Sequence, residues 1–573
     1  MENKITGYPS IDKPWLKYCT EEAIKTSLPE CTMYEHIFNL NQNNLDRIAI
    51  NYYGKNISYR DFFEQIDFIA GALENIGVKE NDIVTVCMIN SPETICLMFA
   101  LNKIGAVANM IYGVSTLEEI KKYLIDTNST IVFTLDMFQD KFVSIINDLK
   151  IDKVIVANLT DSMSLTNKFG ARILKGMKPK RLPNDSRFIS WKSFIKCKKR
   201  STSTCHSPDS MAVITYTGGT TGGSKGVALS NKAVVAVAWQ YCMKDSPMKR
   251  ESTWIQVLPL FIAYGVTCSL MFPLTIGMTM IVRIPMTDSI AGLCKKFKPN
   301  HIMYGPAYWE AFAEENAKLD LSYFVDPTSG GDTLHANTEK KINKYLLEHG
   351  SPYKIMNGYG MTEVGAAVAV NFKNAYEFGS VGTPLVKNVI SAFDIETGKE
   401  LKYGEEGEIC IHTPSMMMGY INNPEETANI IKKHDDGLMW VHSGDLGYIS
   451  ENGFVHISGR LKRCMLCIAN GVQKKVFSLD IEKALLMHEK IDNCAVVPVP
   501  DKEINEAPVA YVILKKEYMH DDTIEEELRI HCETHLQDVY RPIKYIFCDK
   551  FPLTKVGKVD YKTLENRAKE MLQ

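Results

Sequence analysis

Residues 215–230 read TYTGGTTGGSKGVALS, and the first twelve of them hold five glycines, five serine or threonine residues and one lysine. The apolar run MAVITY (211–216) precedes the loop and the helix-compatible run NKAVVAVAWQ (231–240) follows it, so the glycines fall in a strand-to-helix turn. Backbone amides freed of side chains can converge there on an anion. Lys225 would add a point charge, and the hydroxyls of Thr217, Thr220 and Thr221 would bond phosphate oxygens or the shell of a magnesium ion. The loop of mononucleotide kinases has glycine directly before its lysine and serine or threonine directly after it. Here Ser224 precedes Lys225 and Gly226 follows, so that signature fails. A flexible linker is the alternative, but linkers rarely follow a buried strand. The stretch reads as a phosphate cradle of another kind.

Upstream, residues 57–160 repeat a strand-then-helix order. SYRDFFEQIDFIAGALENIG has helical apolar spacing, DIVTVCMIN is a buried-strand run, PETICLMFALNKIGA is helical again, and TIVFTLD is strand-like. This order predicts an α/β fold, with parallel sheet carrying helices on its faces. Residues 159–210 turn basic and polar and read as a surface excursion. At 573 residues the chain exceeds one hydrophobic core, so two or more domains are expected. Its 65 basic and 68 acidic residues leave a formal net charge of −3, with no overall positive field to hold nucleic acid or an anionic membrane. Small-molecule partners fit better. Fifteen cysteines at irregular spacing suit reduced thiols, and the polar, proline-broken start MENKITGYPSIDKPWLKYC carries no export signal, so a cytoplasmic location is expected.

The run 255–282, IQVLPLFIAYGVTCSLMFPLTIGMTMIV, carries no charge and is long enough to span a bilayer. Pro259, Gly265, Pro273 and Gly277 divide it into pieces suited to buried strands and a core helix, so it is expected to be core rather than a transmembrane segment. Beyond GYGMTE (358–363) the chain becomes rich in glycine and short strands with Asn-Gly turn chemistry, which predicts a β-rich subdomain. The last 110 or so residues suit a smaller α+β domain, and their acidic DDTIEEE (521–527) reads as a solvated helix start. CMLC (464–467) has no second cysteine pair and a strand-like context, so it reads as buried thiol rather than metal site, and His442 reads as a strand histidine.

TGGTTGGSKG is followed, in order, by LPLF (258–261), GGDTL (330–334), NGYGMTE (357–363), GEICIHTPSMMMGYINNPEET (407–427), WVHSGDLG (440–447), GRLKR (459–463) and PLTKVGKVD (552–560). This series resembles the adenylate-forming superfamily of acyl- and aryl-CoA synthetases, luciferases and peptide-synthetase adenylation domains. The resemblance covers most of the chain. It implies a large N-terminal domain over 1–461 that binds acid and ATP, and a mobile C-terminal domain over 462–573. It implies that Gly218, Gly219 and Gly222 cradle phosphate with the loop's hydroxyls and Lys225. Tyr359 would stack on adenine and Asn357 bond its edge, with Gly330, Gly331, Asp332 and Gly360 around the nucleotide. Thr362 would touch the α-phosphate, and Glu363 would hold Mg²⁺ together with Thr221. Asp445 would accept the ribose hydroxyls, Arg460 grip the nucleotide, Lys462 act as hinge, and Lys558 bridge substrate carboxylate and α-phosphate. ATP/AMP, Mg²⁺ and CoA are the implied cofactors, with the phosphopantetheine of a carrier protein as the alternative acceptor.

The chemistry asks for these residue types independently. A carboxylate attacking the α-phosphate of ATP sets two anions against each other, so fixed cations and loop dipoles must neutralise the developing charge. The departures from the pattern are local. Ile262 stands where a histidine or aromatic gate is common, Gly218 and Ser224 replace a serine and a proline, and Arg463 replaces an acidic residue. The segment around Gly471, beside the pantetheine tunnel in CoA-using members, is longer than usual and lacks its proline. The expected activity is an AMP-forming ligase joining a fatty acid to CoA, with a freestanding enzyme that loads a carrier protein as the alternative.

Overall fold

The computed structural model describes residues 5–174, 178–197, 199–218, 224–244, 248–284, 289–315, 317–469, 472–554 and 558–572. Local rules place its early elements. Ser58 and Asp61 form a reciprocal cap that starts the helix Tyr59–Asn75, whose Phe62, Ile66, Ala70 and Leu73 repeat at helical spacing and are buried. Ser91 caps the helix Pro92–Lys103, which has proline in its first turn and is buried along its whole length. It is a helix enclosed between layers rather than a surface one.

Two large sheets carry the N-terminal domain. In the first, the strands Met211–Tyr216, Val107–Met110, Ile83–Cys87, Ile131–Leu135, Lys153–Ala157 and Phe188–Ser190 run parallel in that order. In the second, Met356–Met361, Thr328–Ser329, His301–Tyr304, Thr253–Gln256, Thr279–Val282 and Ile48–Tyr52 run parallel, with antiparallel strands at both flanks. One continuous apolar cluster joins the two sheets and their helices. The glycine loop departs from its predicted setting. Gly226–Ser230 pairs antiparallel with Met211–Tyr216, so the loop closes a hairpin, and the helix Asn231–Cys242 begins only after the second strand. The apolar alternation of Val227 and Leu229, both buried, is a strand signal that the following helical run obscured.

The uncharged 255–282 run is core. It supplies two buried strand segments and, between them, a helix that opens with wide π turns over Gly265–Met271 and continues as Phe272–Ile276. Gly265 is obligatory, because a Cβ there would lie 1.9 Å from the Pro259 carbonyl oxygen. Pro273 does not end the helix; it sits where π turns give way to α turns, a change of register that accommodates its ring. Among the described residues no helix is long and apolar enough to cross a membrane.

A third, antiparallel sheet of Val389–Phe393, Gly407–His412, Met439–Ile449, Ile431–Lys433 and Val455–Arg460 forms the β-rich subdomain. After it come the ribbon Cys464–Ala469 with Val472–Phe477, and a sheet of Ile491–Asp501, Asn505–Leu514 and Lys544–Phe547. The two apolar clusters of this smaller domain draw only on residues beyond 461. Asp521 caps the helix Asp522–His535, accepting from the Ile524 amide at 2.8 Å. Cys464 and Cys467 lie three residues apart on one strand and face opposite sides, with Cys467 Sγ donating to the Glu506 carbonyl.

Candidate active site

The parallel strands of both sheets end on one cavity of about 300 Å³. Residues just past the carboxyl ends of Ile83–Cys87, Val107–Met110 and Ile131–Leu135 reach it from the first sheet, as Ile89, Tyr112 and Phe138. Those past Thr253–Gln256, His301–Tyr304 and Thr328–Ser329 reach it from the second, as Tyr264, Tyr308 and Gly330. Side chains at strand ends are held by the sheet yet free of its ladder, which is why sites gather there in α/β folds.

One end of the cavity is apolar and aromatic. Tyr112 stacks on Phe261 at 4.2 Å between ring centres, and Tyr304 packs on Tyr308 at 4.0 Å. Ile89, Ile262, Ile284 and Ala367 complete the wall. The Tyr264 hydroxyl is buried there with no hydrogen-bond partner among the described residues. Among these residues the sequence motifs single out Phe261, the end of LPLF, and Ile262 directly after it. The one signal for the others is position, since Tyr304, Gly305, Pro306 and Tyr308 form a glycine-proline break directly after a buried strand.

The other end is polar. Gly330, Gly331, Asp332, Gly358, Tyr359, Gly360, Thr362 and Gly218 line it, together with Lys558 from the smaller domain. Gly360 is fixed by close approach, because a Cβ there would fall 1.4 Å from the Ala366 carbonyl oxygen of the neighbouring strand. Lys558 is held in a tight loop in which Thr554 N–H donates to the Lys558 carbonyl at 2.7 Å and Lys558 N–H to Thr554 Oγ1 at 3.1 Å. Burial drives its ammonium below the usual lysine range. Arg460 adds to that shift, while Asp332, Asp445 and Glu363 oppose it. No carboxylate among the described residues forms an ion pair with it, so its charge faces the cavity.

Asp445 and Arg460 stand opposite each other on paired strands, behind Tyr359. The Asp445 carboxylate accepts from the Tyr359 hydroxyl at 2.6 Å and from Arg460 Nε at 3.0 Å. Burial and the Asp445 charge together hold the Tyr359 hydroxyl protonated well beyond its usual range, so it remains a donor. Asn357 does not line the cavity; its amide donates to the Ser380 carbonyl at 3.2 Å. Glu363 is buried, and one of its carboxylate oxygens accepts from the Tyr420 hydroxyl at 2.6 Å. No other described residue bonds that carboxylate, and an acceptor-only group with lone pairs to spare fits a hard cation such as Mg²⁺.

Of the glycine loop, Gly219, Thr220, Thr221 and Gly222 lie outside the described residues, as does Gly471. Thr217 Oγ1 accepts from the Lys225 amide at 3.1 Å and so closes the hairpin. Lys225 pairs with Glu426 and lies 4.9 Å over the Tyr420 ring. Lys462 falls in the single turn Leu461–Arg463 between the last strand of the β-rich subdomain and the first of the smaller domain. Beside it, Arg463 pairs with the buried Glu482 at 2.5 Å, donates to the Val496 carbonyl and covers the Tyr561 ring at 3.7 Å. The departure at this position therefore anchors the smaller domain directly after the turn. His442 faces Glu408 at 2.8 Å and His434 at 2.9 Å, and it does not line the cavity.

A family model for the AMP-binding enzyme matches residues 38–421, and one for the AMP-binding enzyme C-terminal domain matches residues 480–558. The chain belongs to the AMP-binding enzyme family. This AMP-binding enzyme is similar to the long-chain-fatty-acid–CoA ligase of Bacillus subtilis (strain 168), at 28% identity over 568 residues and 96% of each chain. It is similar to the 4-coumarate–CoA ligase CCL1 of Humulus lupulus, at 28% identity over 523 residues and 89% of each chain. Among solved structures it resembles ATP-bound MatB from Rhodopseudomonas palustris, with TM-score 0.80, 24% identity, and 95% of this chain against 99% of that one. The anthranilate CoA ligase AuaEII in complex with anthranoyl-AMP gives TM-score 0.79 at 20% identity, again over 95% and 99%. The shared fold is a large α/β domain with a smaller domain at its C-terminus.

Proposed function

We propose that this AMP-binding enzyme is an AMP-forming acid–thiol ligase that adenylates a fatty acid with ATP and transfers the acyl group to CoA. The observation that supports it most is that Lys558, a half-buried lysine from the smaller domain, lines one cavity together with both its polar and its apolar residues. A carboxylic acid laid along the apolar end would bring its carboxylate to that ammonium, and a nucleotide on Tyr359, Asp445 and Arg460 would bring its α-phosphate there. A carboxylate oxygen then attacks the α-phosphorus, the bond to the pyrophosphate oxygen breaks, and the acyl-adenylate remains. Lys558 would offset the charge that gathers as the two anions meet, and Thr362 lines the same cavity. Mg²⁺ held by Glu363 and Thr221 would neutralise phosphate charge.

In the second step the CoA thiolate attacks the acyl carbonyl and AMP leaves. For this step the chain would divide between 461 and 462, with Lys462 as hinge and the Gly471 segment replacing the Lys558 loop at the cavity. All fifteen cysteines are free thiols, which fits a reducing cytoplasm.

The test is pyrophosphate release from ATP across straight-chain and aromatic acids, with and without CoA, together with detection of the acyl-CoA. Acid-dependent release and acylation of CoA with a fatty acid are expected. Release with aromatic acids only would overturn the fatty-acid reading. Adenylation without CoA acylation, restored by a phosphopantetheinyl carrier protein, would establish the alternative acceptor.

A further inference from the structure

Three metal-ligating side chains meet in the β-rich subdomain, outside the cavity. Cys410 and His442 stand opposite each other on the paired strands Gly407–His412 and Met439–Ile449. His434 directly follows the edge strand Ile431–Lys433, in a turn where Gly437 N–H donates to the His434 carbonyl and His434 N–H to the Leu438 carbonyl, both at 3.0 Å. One donor atom from each of the three side chains lies within 4.8 Å of the other two. The buried Cys410 thiol is 3.6 Å from His442 Nδ1, and the Nε2 atoms of His434 and His442 face each other at 2.9 Å. Thiol and imidazole groups from three strands and a turn are brought together here by sheet register, not by closeness along the chain.

The hydrogen bonds around the cluster leave it oriented for a cation. His442 Nδ1 lies 2.8 Å from one oxygen of Glu408, whose other oxygen accepts from the Gly444 amide at 3.0 Å. An ionised carboxylate only accepts, so Nδ1 carries the ring hydrogen and Nε2 keeps its lone pair on the His434 side. Metal-bound histidines are held in this way, with a carboxylate on the nitrogen away from the ion. His434 Nδ1 is buried with no hydrogen-bond partner among the described residues. The ring's other neighbours are aromatic, with Phe393 edge-on at 4.6 Å between ring centres and Trp440 stacked at 5.7 Å. Cys410 belongs to the same apolar cluster as Phe393 and Trp440, so the ligand atoms sit at the edge of a dry core.

We propose that Cys410, His434 and His442 bind one Zn²⁺, with a water molecule as fourth ligand and Glu408 orienting His442. A thiolate with two imidazoles is a donor set for zinc, whereas Mg²⁺ takes oxygen ligands, so this site is distinct in chemistry as well as place from Glu363. Tetrahedral zinc with Zn–N bonds of about 2.0–2.1 Å holds two nitrogens about 3.3 Å apart, so the two rings need to part by only about 0.4 Å. On binding, one Zn–S and two Zn–N bonds form, the Cys410 thiol gives its proton to solvent, and the hydrogen between the two Nε2 atoms passes to His434 Nδ1. The ion would tie the edge hairpin to the strand behind it. Asp445 lies three residues beyond His442 on that strand, and Glu408 holds the intervening Gly444, so the ion would also steady the segment that presents Asp445.

Metal analysis of the untagged full chain, dialysed against micromolar Zn²⁺ and then into metal-free buffer, tests the site without any substrate. About one zinc per chain should remain, and Co²⁺ in its place should give a thiolate-to-cobalt charge-transfer band in the near ultraviolet with the strong visible bands of a four-coordinate ion. Glu408→Gln should weaken zinc binding roughly ten- to hundredfold, as the loss of an orienting carboxylate does. Cys410→Ser and His434→Gln should each weaken it further, and Cys410→Ser should also abolish the charge-transfer band. Cys464→Ser alters a thiol outside the site and should keep the zinc. Zinc should raise the thermal unfolding midpoint of wild type and leave that of His434→Gln unmoved. If Cys410→Ser does not fold, His434→Gln carries the test, since its ring is partly exposed and lies in a turn. No zinc retained by wild type, wild-type zinc affinity in His434→Gln, or cobalt bound without the thiolate band would overturn the proposal and leave a hydrogen-bonded histidine pair.

Discussion

The polar and apolar ends of the cavity are built on different principles. At the polar end positions are set by directional bonds: Asp445 is held between Tyr359 and Arg460, Glu363 by Tyr420, and the Lys558 backbone by a loop closed on itself. At the apolar end the walls are rings and branched chains, and the buried Tyr264 hydroxyl has no partner among the described residues. Directional bonds fix position to a fraction of an ångström, as a phosphorus centre under attack requires. Apolar walls fix volume and little else, which suits a chain that needs only to be covered. Replacing a residue at the polar end should therefore impair chemistry with any acid, and replacing one at the apolar end should change which acid is used.

The sharpest test of that contrast is Lys558→Ala. Removing one fixed donor from a charge-stabilising site costs roughly a hundred- to thousandfold in rate, and acid-dependent pyrophosphate release should fall by that much for every acid alike. Thioester formation from supplied acyl-adenylate should persist. Because burial lowers the pKa of Lys558, its ammonium is lost as pH rises through that lowered value, and the charge is complete below it. Pyrophosphate release should accordingly decline on the alkaline side before an ordinary lysine would titrate. In Lys558→Arg the guanidinium keeps its charge and the decline should move to higher pH. An alkaline limb unmoved in that variant would assign it to another group.

A smaller effect is expected at Asp445. In Asp445→Asn the carboxylate that accepts from Tyr359 and Arg460 becomes neutral, and a hydrogen bond to a charged group is worth about 1.5–3 kcal/mol. The KM for ATP should rise roughly ten- to hundredfold while the acid chain-length profile keeps its shape. A profile that shifts with the nucleotide defect would mean that the two ends are mechanically one.

The same contrast explains what could be read from the sequence. Asp445, Arg460, Glu363 and Lys558 sit in short motifs of the ordered series that resembles the adenylate-forming superfamily, and that resemblance is what singles them out together. The Tyr112, Tyr264, Tyr304 and Tyr308 wall comes from the ends of three separated strands and the segments after them, and no local pattern distinguishes a tyrosine that lines a cavity from one that fills a core. The 255–282 run is legible as core from its glycines and prolines. The π turns within it are not, because they arise from the contact between Gly265 and the Pro259 carbonyl rather than from propensity. The glycine loop misleads in its setting alone: strand and helix signals follow each other so closely that Gly226–Ser230 disappears into the helix start.

The smallest expected effect belongs to the apolar end. Ala367 is buried on the strand Ala366–Val370 and faces the cavity, so Ala367→Leu would place about three carbons where the acyl chain lies. In the wild type each methylene of the acid that becomes covered should contribute about 0.8 kcal/mol, or roughly fourfold in kcat/KM, until the volume is filled. In the variant that gain should stop about three methylenes sooner, with the KM for ATP unchanged. Overpacking can cost about 1–3 kcal/mol of stability, so the reverse change, Ile262→Ala, serves as the companion measurement, and it should extend the gain by a methylene or more. A shortened optimum in one variant and a lengthened one in the other, at constant ATP affinity, would establish that this end measures length alone. If both variants instead lower the rate equally for all acids, the apolar walls position the carboxylate for attack, and the division between a directional end and a volumetric one fails.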